Sequence, residues 1–172
     1  PGKYLDSSKN MECYLGSLKL AKGAINANVK KLIGIGTCFE YDLKNEYLTI
    51  DSPLNPMTPY ASAKVDLFQE LSKLLNEKGI DFSWCRLFFL YGEDENERRL
   101  VPYIRSKLIR GEVAKLSSGD QVRDFMDVKD AAKEIIEIAI NNTNGVFNVC
   151  SGIPITIREF AENIADEYGR RD

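Results

Sequence analysis

The sequence predicts an α/β protein built around a parallel sheet. KKLIGIG at 30–36 and VFNVC at 146–150 are short apolar runs typical of buried strands. Segments 11–27 and 59–78 carry apolar residues at helical spacing. Strands that alternate with helices along a chain favour a parallel sheet with right-handed crossovers.

The first predicted helix, at about 11–27, places four apolar residues on one face: Tyr14, Leu18, Ala21 and Ile25. The strand at 30–36 follows, and its apolar composition predicts burial on both faces. A long polar loop then leads to the next helix.

The second helix has clear ends. Thr58 can cap it, Pro59 suits its first position, and Gly79 ends it. Its apolar residues cover more than one stripe, which predicts that it is covered on two sides. These residues are Val65, Phe68, Leu71, Leu74 and Leu75.

The second half of the chain continues the alternation. It is predicted to contain a strand at 81–91, a helix at about 100–110, one or two short strands within 113–127, a helix at about 130–141 and the strand at 146–150. Thr156 and Glu159 form a capping-box pattern, which predicts that the last helix begins there.

Composition excludes several classes of protein. A net charge of −3 disfavours a nucleic-acid surface, and no apolar run reaches the ~18 residues of a membrane span. The absence of His excludes His-based triads and nearly all zinc enzymes, so no metal site is expected. Three of the four widely spaced cysteines lie in apolar or helical surroundings, which predicts buried free thiols. Together with the lack of a signal peptide, this indicates the cytoplasm.

The segment TPYASAK, 58–64, places Tyr60 one helical turn before Lys64. Thr37 ends the preceding strand. Because ligands bind beyond the carboxyl ends of strands in open α/β sheets, the three side chains can share a cleft. Tyr103 and Lys107 have the same spacing but no such strand before them, so we interpret them as a solvated helix face.

Six ordered segments together resemble the extended short-chain dehydrogenase/reductase family, which includes nucleotide-sugar epimerases, dehydratases and reductases. They are GTCFEY, TPYASAK, RLFFLYG, RLVPY, GDQVRDFMDV and FNVCSG. The resemblance implies a Rossmann-like sheet, an NAD or NADP cofactor and a nucleotide-sugar substrate.

The resemblance also implies the catalytic roles. Thr37 would hydrogen-bond the reacting sugar oxygen, Tyr60 would be the acid–base, and Lys64 would bind the nicotinamide ribose and hold the phenolate. Ionising a phenol of pKa ~10 near neutral pH requires a shift of about 3 pH units. The Lys64 ammonium and an oxidised nicotinamide could together supply that shift.

By the same resemblance, Phe88 lies near the nicotinamide and Arg123 grips the diphosphate of the sugar nucleotide. A guanidinium suits that task because it can bind phosphate in a bidentate manner; the alternative is a surface Arg paired with a neighbouring Asp. Many relatives have Asn where this chain has Phe89, facing the substrate phosphates.

Two residues disfavour dehydratase chemistry. Relatives that are 4,6-dehydratases carry an Asp-Glu pair directly after the catalytic hydroxyl residue. This chain has Cys38 and Phe39 there, and neither can perform the proton transfers of a carboxylate.

The family begins with a strand, a Gly-rich turn and a helix that hold the cofactor pyrophosphate. GIGTCF at 34–39 has two of the three glycines and leads into a loop, so we reject it as that motif. We therefore expect a fragment with exposed strand edges. Residues 1–92 would be the second half of the Rossmann-like domain, and 93–172 mainly a substrate-binding region with some elements returning to the sheet.

The sequence thus predicts part of an NAD(P)-dependent nucleotide-sugar epimerase or ketoreductase. The alternatives are a non-catalytic sugar-nucleotide or dinucleotide sensor and an inactive truncated remnant. The resemblance further implies a homodimer formed through the helices at about 11–27 and 60–78.

Overall fold

The computed structural model describes residues 2–44 and 47–170, which form two compact units. The sheet unit comprises Gly2–Phe88 and Ala132–Val149. The second unit comprises Phe89–Ala131 and the described residues from Cys150 onward. The functions expected for 1–92 and 93–172 stay predictions, and their outer ends, Pro1 and Asp172, lie outside the described residues.

Helices and strands alternate, except that two consecutive strands occur in the middle of the chain and two more near its end. The elements are α1 Lys9–Asn26, β1 Lys31–Thr37, α2 Pro59–Glu77, β2 Asp81–Leu87, β3 Phe89–Tyr91, α3 Leu100–Ile109, β4 Val122–Asp127, α4 Val128–Ile140, β5 Gly145–Val149, β6 Pro154–Thr156 and α5 Ile157–Glu167.

The sheet unit contains three parallel strands in the order β1-β2-β5. This confirms the predicted α/β fold with a parallel sheet. Helices α1 and α2 pack together and against the sheet, which explains why α2 is apolar on more than one side. Their shared core is formed by Leu18, Ala21, Leu67, Leu71, Leu75 and Trp84, with Tyr14 and Ile25 packed against it.

Both ends of α2 follow the sequence signals. The Thr58 side chain accepts a hydrogen bond from the Ala61 N–H at 3.2 Å, and Pro59 occupies the first helical position. Beyond the helix, Gly79 has a φ of 63°, a left-handed conformation that costs glycine little. These local preferences place Tyr60 in the first turn of α2.

Strand β1 pairs only with β2 among the described residues. The Asp81 N–H donates to the Lys30 carbonyl, so even-numbered residues of β1 direct their main-chain groups toward β2. Odd-numbered residues, including Ile35 and Thr37, direct theirs to the open edge. The prediction of a strand buried on both faces was wrong in part, because the Ile35 side chain on this edge strand is 37% exposed.

The second unit contains a mixed sheet in the order β3-β4-β6, with β3 parallel and β6 antiparallel to β4. Its small core is formed by Val101, Ile104 and Ile164. The capping box at Thr156 is confirmed, since Thr156 and Glu159 each bond the other's main-chain N–H, at 3.0 and 3.1 Å.

The segment 81–91 differs from the single strand predicted for it. It forms β2 and β3, which belong to different sheets. The Phe88 N–H bonds to the Val149 carbonyl in the sheet unit, whereas Phe89 pairs with Phe125 in the other sheet. Within 113–127 only β4 is a strand, and β6 was not predicted.

None of the helices in the described ranges has the length and apolar character needed to cross a membrane.

Candidate active site

Thr37 ends β1 and begins a tight turn. Its side chain accepts the Phe39 N–H at 3.4 Å, and its own N–H donates to the Glu40 carboxylate at 2.8 Å. These reciprocal bonds form a capping box around a 3₁₀ turn at Cys38–Glu40. The turn fixes the Thr37 hydroxyl at the carboxyl end of the strand, where the sequence predicted it.

The Tyr60 phenol hydrogen-bonds the Thr37 side chain. Its main-chain N–H donates to the Leu5 carbonyl at 2.9 Å, and its ring lies edge-on to Tyr4 with the ring centroids 5.2 Å apart. The structure therefore brings together two hydroxyl groups that lie 23 positions apart in the sequence.

Lys64 lies one turn after Tyr60, with its Nζ 5.9 Å from the centre of the Tyr60 ring. The Nζ donates to the Ile35 carbonyl at 2.7 Å. The Ile35 carbonyl faces the open edge of β1, where no described strand pairs with it. The Lys64 ammonium donates its hydrogen bond to this carbonyl instead. Thr37, Tyr60 and Lys64 thus form one cluster in the sheet unit.

Burial sets the charge preferences of this cluster. Burial raises the pKa of the Tyr60 phenol above its usual value, and the hydrogen bond from Thr37 opposes the shift only in part. Burial also lowers the pKa of Lys64, against the smaller opposing effect of the Glu40 charge. An acidified phenol was expected from the sequence, whereas burial biases both groups toward their neutral forms.

The other predicted site residues lie elsewhere in the chain. Phe88 follows β2 at the end of the sheet unit, whereas Phe89 and Arg123 belong to the second unit. The Arg123 guanidinium lies 5.1 Å from the centre of the Phe89 ring, and its Nη1 donates to the Val122 carbonyl at 2.7 Å. Phe89 and Arg123 are therefore brought together, as a stacked pair on β3 and β4.

The second Tyr-Lys spacing is not a solvated face. The Tyr103 hydroxyl accepts the Lys115 N–H at 3.1 Å, and Lys107 forms an ion pair with Glu112. Tyr103 also packs against the core of the second unit. Both side chains have structural partners on and near α3.

Sequence reasoning missed Glu40 and Arg86. Glu40 is fully buried, and its carboxylate binds the Arg86 Nε at 2.7 Å. The pattern Thr-x-x-Glu at 37–40 was the available signal, because it matches a capping box. Such boxes are expected before long helices, whereas this one precedes a single turn.

The glycines at 34 and 36 make room for packing. A Cβ on Gly34 would lie 2.3 Å from the Trp84 ring, and one on Gly36 would lie 2.3 Å from both Glu40 Oε1 and Trp84 Nε1. This space is filled by side chains of the chain itself. That agrees with rejecting GIGTCF as a phosphate-binding turn.

Comparison with known proteins places this arrangement in a family. The sequence profile of the NAD dependent epimerase/dehydratase family matches residues 8–150. The chain belongs to this family.

Individual relatives have related activities. The chain is 28% identical over 142 residues to a dTDP-6-deoxy-L-talose 4-dehydrogenase (NAD(+)) from Aggregatibacter actinomycetemcomitans, a match covering 81% of this chain and 53% of the relative. It is 28% identical over 165 residues to a UDP-glucose 4-epimerase from Mycolicibacterium smegmatis, covering 92% of this chain and 53% of the relative.

A solved structure gives the same result. A UDP-N-acetylglucosamine 4-epimerase from Methanobrevibacter ruminantium, in complex with UDP-N-acetylmuramic acid, superposes with a TM-score of 0.83 at 31% identity. That match covers 90% of this chain and 52% of the epimerase. The chain spans about half the length of the relatives it matches.

In residues 2–44 and 47–170, Cys, Asp and Glu side chains form no group of three or more arranged to hold a metal ion.

Proposed function

We propose that this chain carries the proton-transfer site of an NAD(P)-dependent nucleotide-sugar epimerase or ketoreductase. The observation that supports it best is the cluster of Thr37, Tyr60 and Lys64 at the end of β1, in a member of a family whose relatives act on dTDP- and UDP-sugars.

Each residue of the cluster has a role that its position supports. Tyr60 takes the proton from the reacting sugar hydroxyl, or returns it. Thr37 already hydrogen-bonds the phenol, so its hydroxyl can orient the same sugar oxygen. The Lys64 ammonium, one turn away, stabilises the phenolate that forms when the proton leaves.

The residues present fit the nicotinamide end of the cofactor. The bond to Ile35 uses one of the three N–H groups of Lys64, and the others suit the hydroxyls of a ribose. A bound nicotinamide would supply the hydride chemistry at the sugar carbon, while the residues of this cluster handle the proton. The cationic oxidised ring would add a positive charge near Tyr60 and lower the pKa of the phenol from its raised value.

The substrate diphosphate has a proposed binding residue in Arg123. Its guanidinium lies over the Phe89 ring, 5.1 Å from the ring centre, and its planar fork suits a diphosphate. Phe89 occupies the position where many relatives have Asn, so we propose that here the aromatic ring orients the arginine.

Dehydratase chemistry remains disfavoured. Cys38 is 2% exposed within the 3₁₀ turn, and Phe39 has no proton to transfer. This supports redox chemistry at a hydroxyl-bearing carbon rather than elimination of water.

The test compares the full-length product of the gene with its Tyr60→Phe variant on UDP- and dTDP-hexoses. Chromatography of the sugar nucleotides measures epimerisation, which causes no net cofactor reduction, and absorbance of reduced nicotinamide measures net oxidation or reduction. We expect Tyr60→Phe to lower kcat by about 10²–10⁴-fold, the usual contribution of a positioned acid–base. Tyr103→Phe is the matched control, because Tyr103 has the same spacing to a lysine and is expected to retain activity.

Unchanged turnover in Tyr60→Phe would remove the assignment of Tyr60. Tight binding of a sugar nucleotide without turnover by the wild-type protein would favour the sensor, and neither binding nor turnover would favour the inactive remnant.

We also propose a homodimer through α1 and α2 in the cytoplasm. Met11, Leu15 and Leu20 on α1 are 55, 49 and 76% exposed, and the cysteines at 13, 38, 85 and 150 form no disulfide. Sedimentation equilibrium should give a dimer, and Met11→Glu with Leu15→Glu should give a monomer. Ile140→Glu, an exposed site on α4, is the control; a wild-type monomer contradicts the proposal.

A further inference from the structure

We propose that Glu40 is a positioning residue for the Thr37 hydroxyl, and through it for the Tyr60 phenol, and that Arg86 holds Glu40 in place. The proposal rests on the proposed function, in which the two hydroxyl groups handle the proton of the sugar.

Glu40 has a donor on every accessible side of its carboxylate. Oε1 accepts the Thr37 N–H at 2.8 Å, both oxygens lie 3.1 Å from Trp84 Nε1, and Oε2 accepts the Arg86 Nε–H at 2.7 Å. The side chain is 0% exposed. A buried carboxylate surrounded by donors in this way has one favourable position.

Arg86 is fixed as firmly as Glu40. It is 2% exposed, and its Nη1 donates to the Tyr41 hydroxyl at 2.8 Å. Its guanidinium carbon lies 4.5 Å from the centre of the Tyr41 ring and 5.3 Å from that of Phe68. The Tyr41 hydroxyl in turn donates to Asn148 Oδ1 at 2.6 Å, which ties the pair to β5.

Glu40 acts on Thr37 through the main chain. The Thr37 N–H faces the open edge of β1, where β2 does not reach it, and the carboxylate takes the place of a strand acceptor. The Thr37 hydroxyl, which bonds Phe39 and Tyr60, is attached to the same residue. A shift of the Glu40 carboxylate would therefore move the Thr37 hydroxyl, although Glu40 itself is fully buried.

The decisive experiment is a double-mutant cycle of Glu40→Gln and Thr37→Ala in the full-length product of the gene. Glu40→Gln replaces one oxygen with an NH₂ group that faces other donors, so at least one donor loses its acceptor. We expect kcat to fall by about 10–100-fold, as small misplacements of reacting groups do, with little change in KM for the sugar nucleotide.

If Glu40 acts through Thr37, Glu40→Gln should lower kcat by no more than about twofold in the Thr37→Ala background. An equal loss in both backgrounds would overturn the proposal.

Leu75→Ala is the matched control for stability, since Leu75 is fully buried in the core of the same unit. It should lower the melting temperature while kcat per folded molecule is retained; a loss equal to that of Glu40→Gln would show a merely structural role.

A second readout keeps the test independent of turnover. If the wild-type protein converts no nucleotide sugar, the proposed function fails, yet the ¹³C resonance of the Tyr60 ring can still be titrated in the same four proteins. Tyr4, Cys38 and Lys64, the other titratable groups near the phenol, are unchanged in all of them.

If Glu40 acts by positioning Thr37, Glu40→Gln should shift the Tyr60 titration midpoint differently in the wild-type and Thr37→Ala backgrounds. We expect the two shifts to differ by about half a pH unit or more. A direct effect of the Glu40 charge would move the midpoint equally in both, and that result would overturn the proposal.

Discussion

The pKa values of Tyr60 and Lys64 are shifted in opposite directions by the same cause, since burial disfavours the charged form of each side chain. The pKa of Tyr60 is raised in the folded state, so its contribution to stability is present below pH 10.0 and is lost as the pH rises through the folded pKa. The pKa of Lys64 is lowered, so its contribution is present above pH 10.5 and is lost as the pH falls through the folded pKa.

Tyr60→Phe removes the first of these effects, because phenylalanine cannot ionise. We predict that its free energy of unfolding falls less steeply than that of the wild type as the pH rises above 10.0, the usual pKa of the phenol. Urea unfolding followed by circular dichroism at several pH values measures the slope. Tyr47→Phe, which removes an exposed hydroxyl, is the control and should follow the wild-type curve; identical slopes for all three proteins would contradict the burial argument.

The four cysteines differ in environment. Cys13 is exposed on α1 and so departs from the expectation of buried thiols, whereas Cys38 and Cys85 are buried and Cys150 is half-buried. Burial raises the pKa of the Cys85 thiol to about 11. At pH 8 only about one Cys85 thiol in a thousand would be ionised, and the thiolate is the reactive form.

We therefore predict that an aromatic disulfide reagent at pH 8 modifies Cys13 first, and reaches Cys85 only when the protein unfolds. Peptide mass mapping over time measures the order. Cys13→Ser should abolish the fastest phase, and rapid native labelling of Cys85 would contradict the buried environment.

At the scale of elements, the sequence predicted the helix ends, because these depend on residues that are neighbours along the chain. The ends of α2 followed from Thr58, Pro59 and Gly79, and the start of α5 from Thr156. The break between β2 and β3 could not be predicted in this way. Both strands are apolar, so their composition does not mark the break. The break arises because Phe88 bonds to β5, whereas Phe89 pairs with β4.

The candidate site shows the same division. Thr37, Tyr60 and Lys64 were predicted because hydroxyl and ammonium groups at a strand end and a helix start are visible in the sequence. The ion pair of Glu40 with Arg86 joins residues 46 positions apart, and nothing local to Arg86 identifies its partner. The raised pKa of the phenol also depends on burial, which spacing along a helix does not reveal.

Two glycines of the sheet unit provide a matched pair of substitutions. Gly36→Ala places a Cβ 2.3 Å from Glu40 Oε1 and Trp84 Nε1, both of which are held in the core. We predict destabilisation by about 1–3 kcal/mol, the usual effect of overpacking. Gly16→Ala, inside α1 with nothing within 4 Å of the new Cβ, should instead stabilise by about 0.5–1 kcal/mol.

Chemical denaturation of both variants measures the difference. A Gly36→Ala protein as stable as the wild type would show that the ion pair and Trp84 can move, which would also weaken the positioning proposed for Glu40.

At the scale of the whole molecule, the proposed site accounts for one end of a cofactor. We propose that Lys64 and Tyr60 contact a nicotinamide ribose, but the sequence contains no Gly-rich turn between a strand and a helix to hold a pyrophosphate. The two glycines that come nearest to such a motif have their open faces filled by Trp84 and Glu40. Most of the polar contacts that dinucleotides use are therefore not available from these 172 residues.

We predict that the 172-residue chain alone binds NAD⁺ or NADP⁺ with a Kd of about 1 mM or weaker, since only the nicotinamide end finds partners. Isothermal calorimetry measures this, with the NAD(+)-dependent talose dehydrogenase relative as positive control. Lys64→Ala should abolish what binding remains, because the ribose hydroxyls would lose their donor. A micromolar Kd for the chain alone would mean that the pyrophosphate is held by groups outside the cluster at Thr37, Tyr60 and Lys64, and the cofactor contacts proposed for this cluster would have to be revised.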